Sequence, residues 1–199
     1  MSSELLLAAC SAGVIHTLAG PDHYLPLITA ARAGSWSDRR TLVTTALCGL
    51  LHCASAFALL AVGVACTGGI ATLADGETAR SAMTSWILIA TGAALLVMAL
   101  RQHTRTLGAG LAWPFYLVFV LGPCEWMLPA GAAAWAEGGF VNALVVCALF
   151  AVATLLTMLV AVWVGGRGLA RLPLHNQRAA MGLAGATTLG CGVAMTFGF

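Results

Sequence analysis

Two stretches decide how this chain is read: Gly20-Pro21-Asp22-His23-Tyr24-Leu25-Pro26 and Gly122-Pro123-Cys124-Glu125-Trp126-Met127-Leu128-Pro129. Each runs Gly-Pro, two residues able to bind a cation, an aromatic, one or two aliphatics and a second proline. Proline lacks the amide hydrogen and clashes with the preceding turn, so each stretch marks an interruption in an otherwise apolar helix. In a bilayer such freed backbone is tolerated only where it is buried in protein or lines a cavity. Carboxylates and imidazoles are costly in hydrocarbon, and the same cavity relieves that cost.

The surrounding composition supports a membrane setting. Of 199 residues, 60% are hydrophobic and 8% charged, against about a quarter charged in a soluble domain. A soluble domain is thereby excluded. About 119 apolar residues, at roughly 20 per membrane helix, allow six spans and leave no room for an extramembrane domain. Apolar runs place these spans near residues 4–31, 41–66, 82–100, 111–134, 140–164 and 178–198, with the first and fourth broken. The breaks lie about a hundred residues apart and each opens a group of three spans, which predicts two repeats, about 4–100 and about 111–198, within one membrane domain, 1–199. Three is odd, so the repeats are expected to be inverted, and matching interrupted helices in inverted repeats point to a transporter's central site. The fold class is all-α. The opening Met1-Ser2-Ser3-Glu4 lacks the basic stretch of a signal peptide, so the first segment is expected to be retained as a span.

The charges give an orientation. All nine cations are arginines and the net charge is +2, too little for a nucleic-acid footprint. Arg32, Arg39 and Arg40 fall in the first loop, Arg101 and Arg105 in the third, and Arg167, Arg171 and Arg178 in the fifth. Only Arg80 falls in an even-numbered loop, with Asp75 and Glu77, while the fourth loop holds Glu137. Basic loops stay cytoplasmic during insertion, so an inner-membrane protein with both termini outside is expected. The seven cysteines include no Cys-x-x-Cys pair, which indicates neither a disulfide framework nor a zinc ribbon. Only Cys124 belongs to a motif.

The ionisable residues expected within the spans are His16, Asp22, His23, His52 and Glu125, with no arginine among them. Carboxylates and neutral imidazoles without a fixed cation suit a proton or a metal ion better than an anion. With Cys124 as a soft ligand, they suit nickel, cobalt or zinc. Duller roles remain open: His16 and His52 could donate to a neighbouring helix carbonyl, Asp22 could cap the half-helix after its break, and Tyr24 and Trp126 could pack at the interruptions.

The segment His16-Thr-Leu-Ala-Gly-Pro-Asp22-His23 resembles the His-x4-Asp-His signature of the nickel/cobalt transporter family, and more closely the His-Ala-x-x-Gly-Pro-Asp-His form of UreH-like membrane proteins. Five residues, rather than four, separate His16 from Asp22. Cys48-Gly49-Leu-Leu-His52-Cys-Ala-Ser55 is similar to that group's Gly-x-x-His segment, and Leu121-Gly-Pro-Cys-Glu125-x-x-x-Pro129 to its Gly-Pro-Cys-Glu motif. The resemblance implies transport of nickel or cobalt as substrate, with His16, Asp22 and His23 as ligands and His52 in support. No permanently bound cofactor is implied.

The fourth-span motif also looks like the Pro-Cys motif of the DsbD and CcdA electron carriers and sits in a group that includes TauE-type sulfite exporters. Beside a metal carrier stand three other expectations: an exporter of sulfite or an organic anion, a thiol electron carrier, and a membrane accessory subunit of a metalloenzyme. A thiol carrier needs a second cysteine at the first break, where Asp22 stands instead. There is no Walker A sequence, so a carrier would draw on an ion gradient or the substrate's own. The expected partners are the lipid bilayer and the metal ion, and copies of the chain could associate.

Overall fold

A computed structural model describes residues 2–65, 69–101, 112–122, 124, 126–171 and 176–197, with the backbone alone for 64–65 and 69–78. It is all-helical, with no strand among the described residues. Helix α1 (Ser3–Ala19) leads through a 3-10 turn (Pro21–His23) into α2 (Leu25–Ala33), and α3 (Asp38–Ala65), α4 (Gly69–Leu100), α5 (Trp113–Leu121), α6 (Met127–Ala170) and α7 (Gln177–Thr196) follow. Residues in α3, α4, α6 and α7 form four helices long and apolar enough to cross a bilayer. Counting α1 with Pro21–Ala33 as one span, bent by 83° at the break, gives a fifth.

The prolines fall where a helix can accept them. Pro26 stands in the first turn of α2 and Pro129 in the first turn of α6, where amide hydrogens have no partner within the helix. Pro123 and Glu125 lie outside the described residues. Helix α6 has 44 residues, about 66 Å at 1.5 Å per residue, twice a bilayer core. It is two helices end to end. Gly138 (φ −160°, ψ 24°) and Gly139 (φ 68°, ψ −157°) leave helical geometry, the second in a region that is essentially glycine's alone.

Polarity is distributed as a lipid solvent requires. Leu7, Trp86, Leu100 and Val141 are each at least 66% exposed, whereas Thr17, Thr45, Thr154, Thr188, His23 and His52 are buried. Large apolar side chains are found on the outside as well as in the core, where Phe115, Phe150 and Met158 are buried, while these hydroxyls and imidazoles lie inside, so the outer surface is compatible with a bilayer. Helices α4 and α7 form the most extensive pairing. They approach to backbone contact, since a Cβ on Gly192 would meet the Ile89 nitrogen at 2.8 Å. Helix α1 packs on α6, and α3 packs on both α5 and α6. These pairings bring Cys124 of the second interruption close to His16, just before the first.

Candidate metal centre

The first interruption is built by its own residues. Gly20 leaves the helix (φ −97°, ψ 90°) while its amide still donates to the His16 carbonyl at 3.0 Å. The chain then closes one 3-10 turn, with the His23 amide donating to the Gly20 carbonyl at 3.1 Å and Tyr24 to Pro21 at 3.3 Å. The Tyr24 hydroxyl donates back to the Leu18 carbonyl at 3.4 Å, so Tyr24 serves the break. The turn lays the His23 ring directly over Gly20, where a Cβ would stand 2.6 Å from Nδ1.

Three imidazoles converge here from separate elements. His16 comes from the last turns of α1, His23 from the 3-10 turn and His52 from the middle of α3, and one ring nitrogen of each lies within 4.8 Å of the others. The His16 and His23 centroids are 4.6 Å apart, edge to face, and His23 and His52 are 5.2 Å apart in the same manner. Phe119 and Phe150 border the group, with Phe119 6.0 Å from His52 and Phe150 5.8 Å from His16. First-row metals bind imidazole nitrogen at about 2.0–2.1 Å, which sets tetrahedral ligand atoms about 3.3 Å apart. The rings therefore need to close by about 1.5 Å at most.

The hydrogen bonds fix which nitrogen is available. His23 Nδ1 faces the Gly20 carbonyl at 3.1 Å and Asp22 Oδ1 at 3.3 Å. Both are acceptors, so Nδ1 carries the hydrogen and the Nε2 lone pair points elsewhere. Metal-binding histidines characteristically donate their other N–H to a carboxylate or a backbone carbonyl. Asp22 thus orients His23 and stands outside the three-nitrogen group. His23 Nε2 and both ring nitrogens of His52 are buried without a hydrogen-bond partner among the described residues. They border a cavity of about 10 Å³ lined by Asp22, His23, His52, Thr84, Phe119 and Gly122, among others, the size of a single water.

The second interruption adds a thiol. Cys124, fully buried, places Sγ 3.9 Å from His16 Nε2, so the breaks meet through these two side chains. No disulfide joins the cysteines among the described residues. Gly122 lies beneath His52 as Gly20 lies beneath His23, with a Cβ there 3.3 Å from His52 Nδ1. Trp126 is half exposed, its ring 6.3 Å from His16. Glu125, expected at this break, lies outside the described residues.

Arg80 corrects the expectation of a core without a fixed cation. It stands on α4, not in a loop, and its guanidinium reaches the end of α5. There Nε donates to the Leu121 carbonyl at 3.2 Å, and Nη2 to Val120 at 3.1 Å, Gly122 at 2.7 Å and Ser55 Oγ at 2.9 Å. Ser55 in turn donates to the His52 carbonyl at 2.8 Å. Arg80 thus caps carbonyls that the break leaves exposed, and neither it nor Ser55 lines the cavity. Its signal lay in the charge pattern, as the single arginine out of step with the alternation of basic loops. Thr84, one turn further along α4, supplies another buried hydroxyl without a partner; one threonine among many gave no such signal.

No family model matches the chain, and no curated protein or solved structure is similar to it. What the site can do therefore follows from its own side chains. Three nitrogen donors with a nearby sulfur, buried and walled by aromatic rings, form a borderline-soft set that suits late first-row divalent ions rather than magnesium or calcium.

Proposed function

We propose that the chain is a secondary membrane transporter of divalent transition-metal cations, nickel or cobalt foremost, working by alternating access around the histidine group. The observation that carries this reading is the convergence of His16, His23 and His52, two of which, His23 and His52, border a one-water cavity with ring nitrogens that have no hydrogen-bond partner among the described residues. His16, His23 and His52 are the proposed ligands, Cys124 closes the set from the second break, and Asp22 holds His23 in its metal-binding tautomer. Glu125 is proposed as a further ligand or proton carrier. Binding requires neutral imidazoles and a thiolate, so metal uptake releases protons and weakens as pH falls.

A six-span, inverted-repeat architecture fits this function. Helix α5, nine residues long, is too short to cross alone. Joined to residues 127–137 across the second break, it becomes the counterpart of α1 and α2, and the kink at Gly138–Gly139 then ends the fourth span. Under exchange of the two halves, α1 on α6 corresponds to α5 on α3, and α3 on α6 and α4 on α7 map onto themselves, whereas α2 on α7 and α4 on α5 have no matching pairing among the described residues. Rocking of one half against the other around a fixed midplane site follows from such a design. The arginine-bearing ends of α2 and α6, which line one cavity, are assigned to the cytoplasmic side of the inner membrane.

Arg80 favours a second reading, an anion exporter, because it places a cation beside the site. Its donors, however, are directed at the Val120, Leu121 and Gly122 carbonyls, and a one-water cavity has no room for sulfite or an organic acid. Calorimetry of the purified full chain with nickel, cobalt, zinc, magnesium and sulfite separates the readings. Nickel or cobalt binding that weakens from pH 8 to pH 6 is expected, lost in His23→Ala and His52→Ala and reduced about tenfold in Asp22→Asn. Sulfite binding that survives both histidine substitutions would replace the metal reading with the anion one.

A further inference from the structure

A second site lies at the arginine-bearing end of the bundle, and none of the three histidines lines it. Helix α2 ends in a turn in which the Trp36 amide donates to the Ala31 carbonyl at 2.9 Å and the Ser35 amide to Arg32 at 3.3 Å. Such a helix end normally takes glycine at the left-handed position, but here Ser35 occupies it, with φ 49°. The strained turn folds Trp36 back over Gly34 and sets its indole beneath Arg40, 4.6 Å from ring centroid to guanidinium carbon. Opposite, on α6, Arg167 lies over Trp163 at 3.8 Å. Between the two tryptophans opens a cavity of about 400 Å³ whose polar lining includes Arg32, Ser35, Asp38, Thr41 and Arg167.

This cavity continues into apolar grooves on two sides. Through Ile28 and Leu169 it meets a groove of about 870 Å³ between α2, α6 and α7, walled by residues such as Leu25, Leu156, Val160 and Leu183. Through Leu42 and Trp163 it meets one of about 460 Å³ between α3 and α6. Both touch Val160, so they pass on either side of one helix. A cationic chamber opening onto two apolar channels has the shape of a headgroup with two acyl chains. Arg32 and Arg167 against Asp38 leave one positive charge in the wall, the complement of a single phosphodiester.

We propose that this chamber binds an anionic glycerophospholipid whose headgroup carries hydroxyls. Its phosphate bridges Arg32 and Arg167, a headgroup hydroxyl donates to Asp38, and its chains straddle α6. Basic pockets between helices at the cytoplasmic face, where anionic lipids concentrate, recognise headgroups in this way. The proposal is independent of the metal reading.

The test titrates the full chain in detergent with brominated phosphatidylglycerol, phosphatidylethanolamine and phosphatidylcholine of equal chain length, read by quenching of tryptophan fluorescence, and with inorganic phosphate as competitor. Preferential binding of phosphatidylglycerol is expected. It should weaken about thirtyfold in the Arg32→Gln, Arg167→Gln double variant, at roughly fivefold per basic residue. Arg167→Lys should keep most of the preference and guard against misfolding as the cause, and Arg101→Gln, outside the chamber, controls for net charge. Equal affinity for the three lipids, or a preference that survives the double variant, would overturn the proposal. Displacement of the lipid by millimolar phosphate would reassign the chamber to a free anion.

Discussion

The two interruptions begin with the same dipeptide and solve the same problem differently. At the first, every described replacement for a lost helical bond comes from within the segment His16 to Tyr24: Gly20 to His16, His23 to Gly20, Tyr24 to Pro21 and the Tyr24 hydroxyl to Leu18. At the second, the carbonyls of Val120, Leu121 and Gly122 are met by Arg80, about forty residues away on another helix. The first break is locally complete and can devote His23 to the site. The second is clamped from outside, and the clamp runs through Ser55 to the backbone of His52. The first break brings His23 with its own orienting bonds, and the second brings Cys124 on a backbone held from another helix.

If that division holds, the largest effect belongs to Arg80. Arg80→Met removes at least four hydrogen bonds from a charged donor, and bonds of this kind contribute about 1.5–3 kcal/mol each. Because they act as a unit and do not add, the expected loss is about 3 kcal/mol or more, measured by unfolding in mixed micelles of rising denaturing-detergent fraction. Arg80→Lys should recover only part of it, since an ammonium lacks the planar fork that spans adjacent carbonyls. A Met variant as stable as the parent would mean that the second break supports itself as the first does.

This contrast also explains what the sequence disclosed. The Gly-Pro interruptions, the apolar helices and His16, Asp22, His23 and His52 could be read along the chain, because each is a departure from an otherwise apolar background. Asp22, expected among the ligands, faces His23 Nδ1 at 3.3 Å and lies outside the group of three histidines. The distinction is a matter of which nitrogen faces which oxygen, and a spacing does not contain it. Arg80 stands out in the sequence as an exception to the charge alternation, but an apolar window begins only after it, which puts it in a loop, while the helix starts at Gly69. Thr84 and Ser55 reach the site by register between helices. The chamber at Arg32 and Arg167 joins residues from α2, α3 and α6, and no local pattern announces it.

The glycines sharpen the comparison at smaller amplitude. A Cβ at position 20 would meet only side-chain atoms of the break itself, His23 Nδ1 at 2.6 Å and Asp22 Oδ1 at 2.8 Å. Gly20→Ala should therefore turn His23 away from its orienting bonds and lower nickel affinity by about tenfold or more, with a smaller loss of stability. At position 122 the nearest atom is the Val118 carbonyl oxygen at 2.9 Å, with His52 Nδ1 at 3.3 Å. Backbone yields less readily than an imidazole, so Gly122→Ala should cost about 1–3 kcal/mol of stability and change affinity less. Calorimetry and detergent unfolding on the same two variants test the pattern, and equal effects on both quantities in both variants would erase the distinction between the breaks.

The smallest effect is expected at Thr84, and its sign carries the information. Its hydroxyl is buried beside His52 and the cavity with no hydrogen-bond partner among the described residues. An unsatisfied buried hydroxyl costs about 1–3 kcal/mol, and valine has nearly the same shape without that cost. Were the cavity only a packing defect, Thr84→Val would raise stability and leave metal binding untouched. If the cavity is where an ion or its water rests, the same substitution should still raise the stability of the metal-free protein, by about 1 kcal/mol, while lowering nickel affinity by less than tenfold, because an oxygen beside the ion is gone and three imidazoles remain. Stability measured with and without nickel distinguishes the two outcomes, since a bound ion adds stability in proportion to its affinity. The margin by which nickel stabilises the protein should shrink in Thr84→Val, and an undiminished margin would remove Thr84 from the site and leave the three histidines to define it.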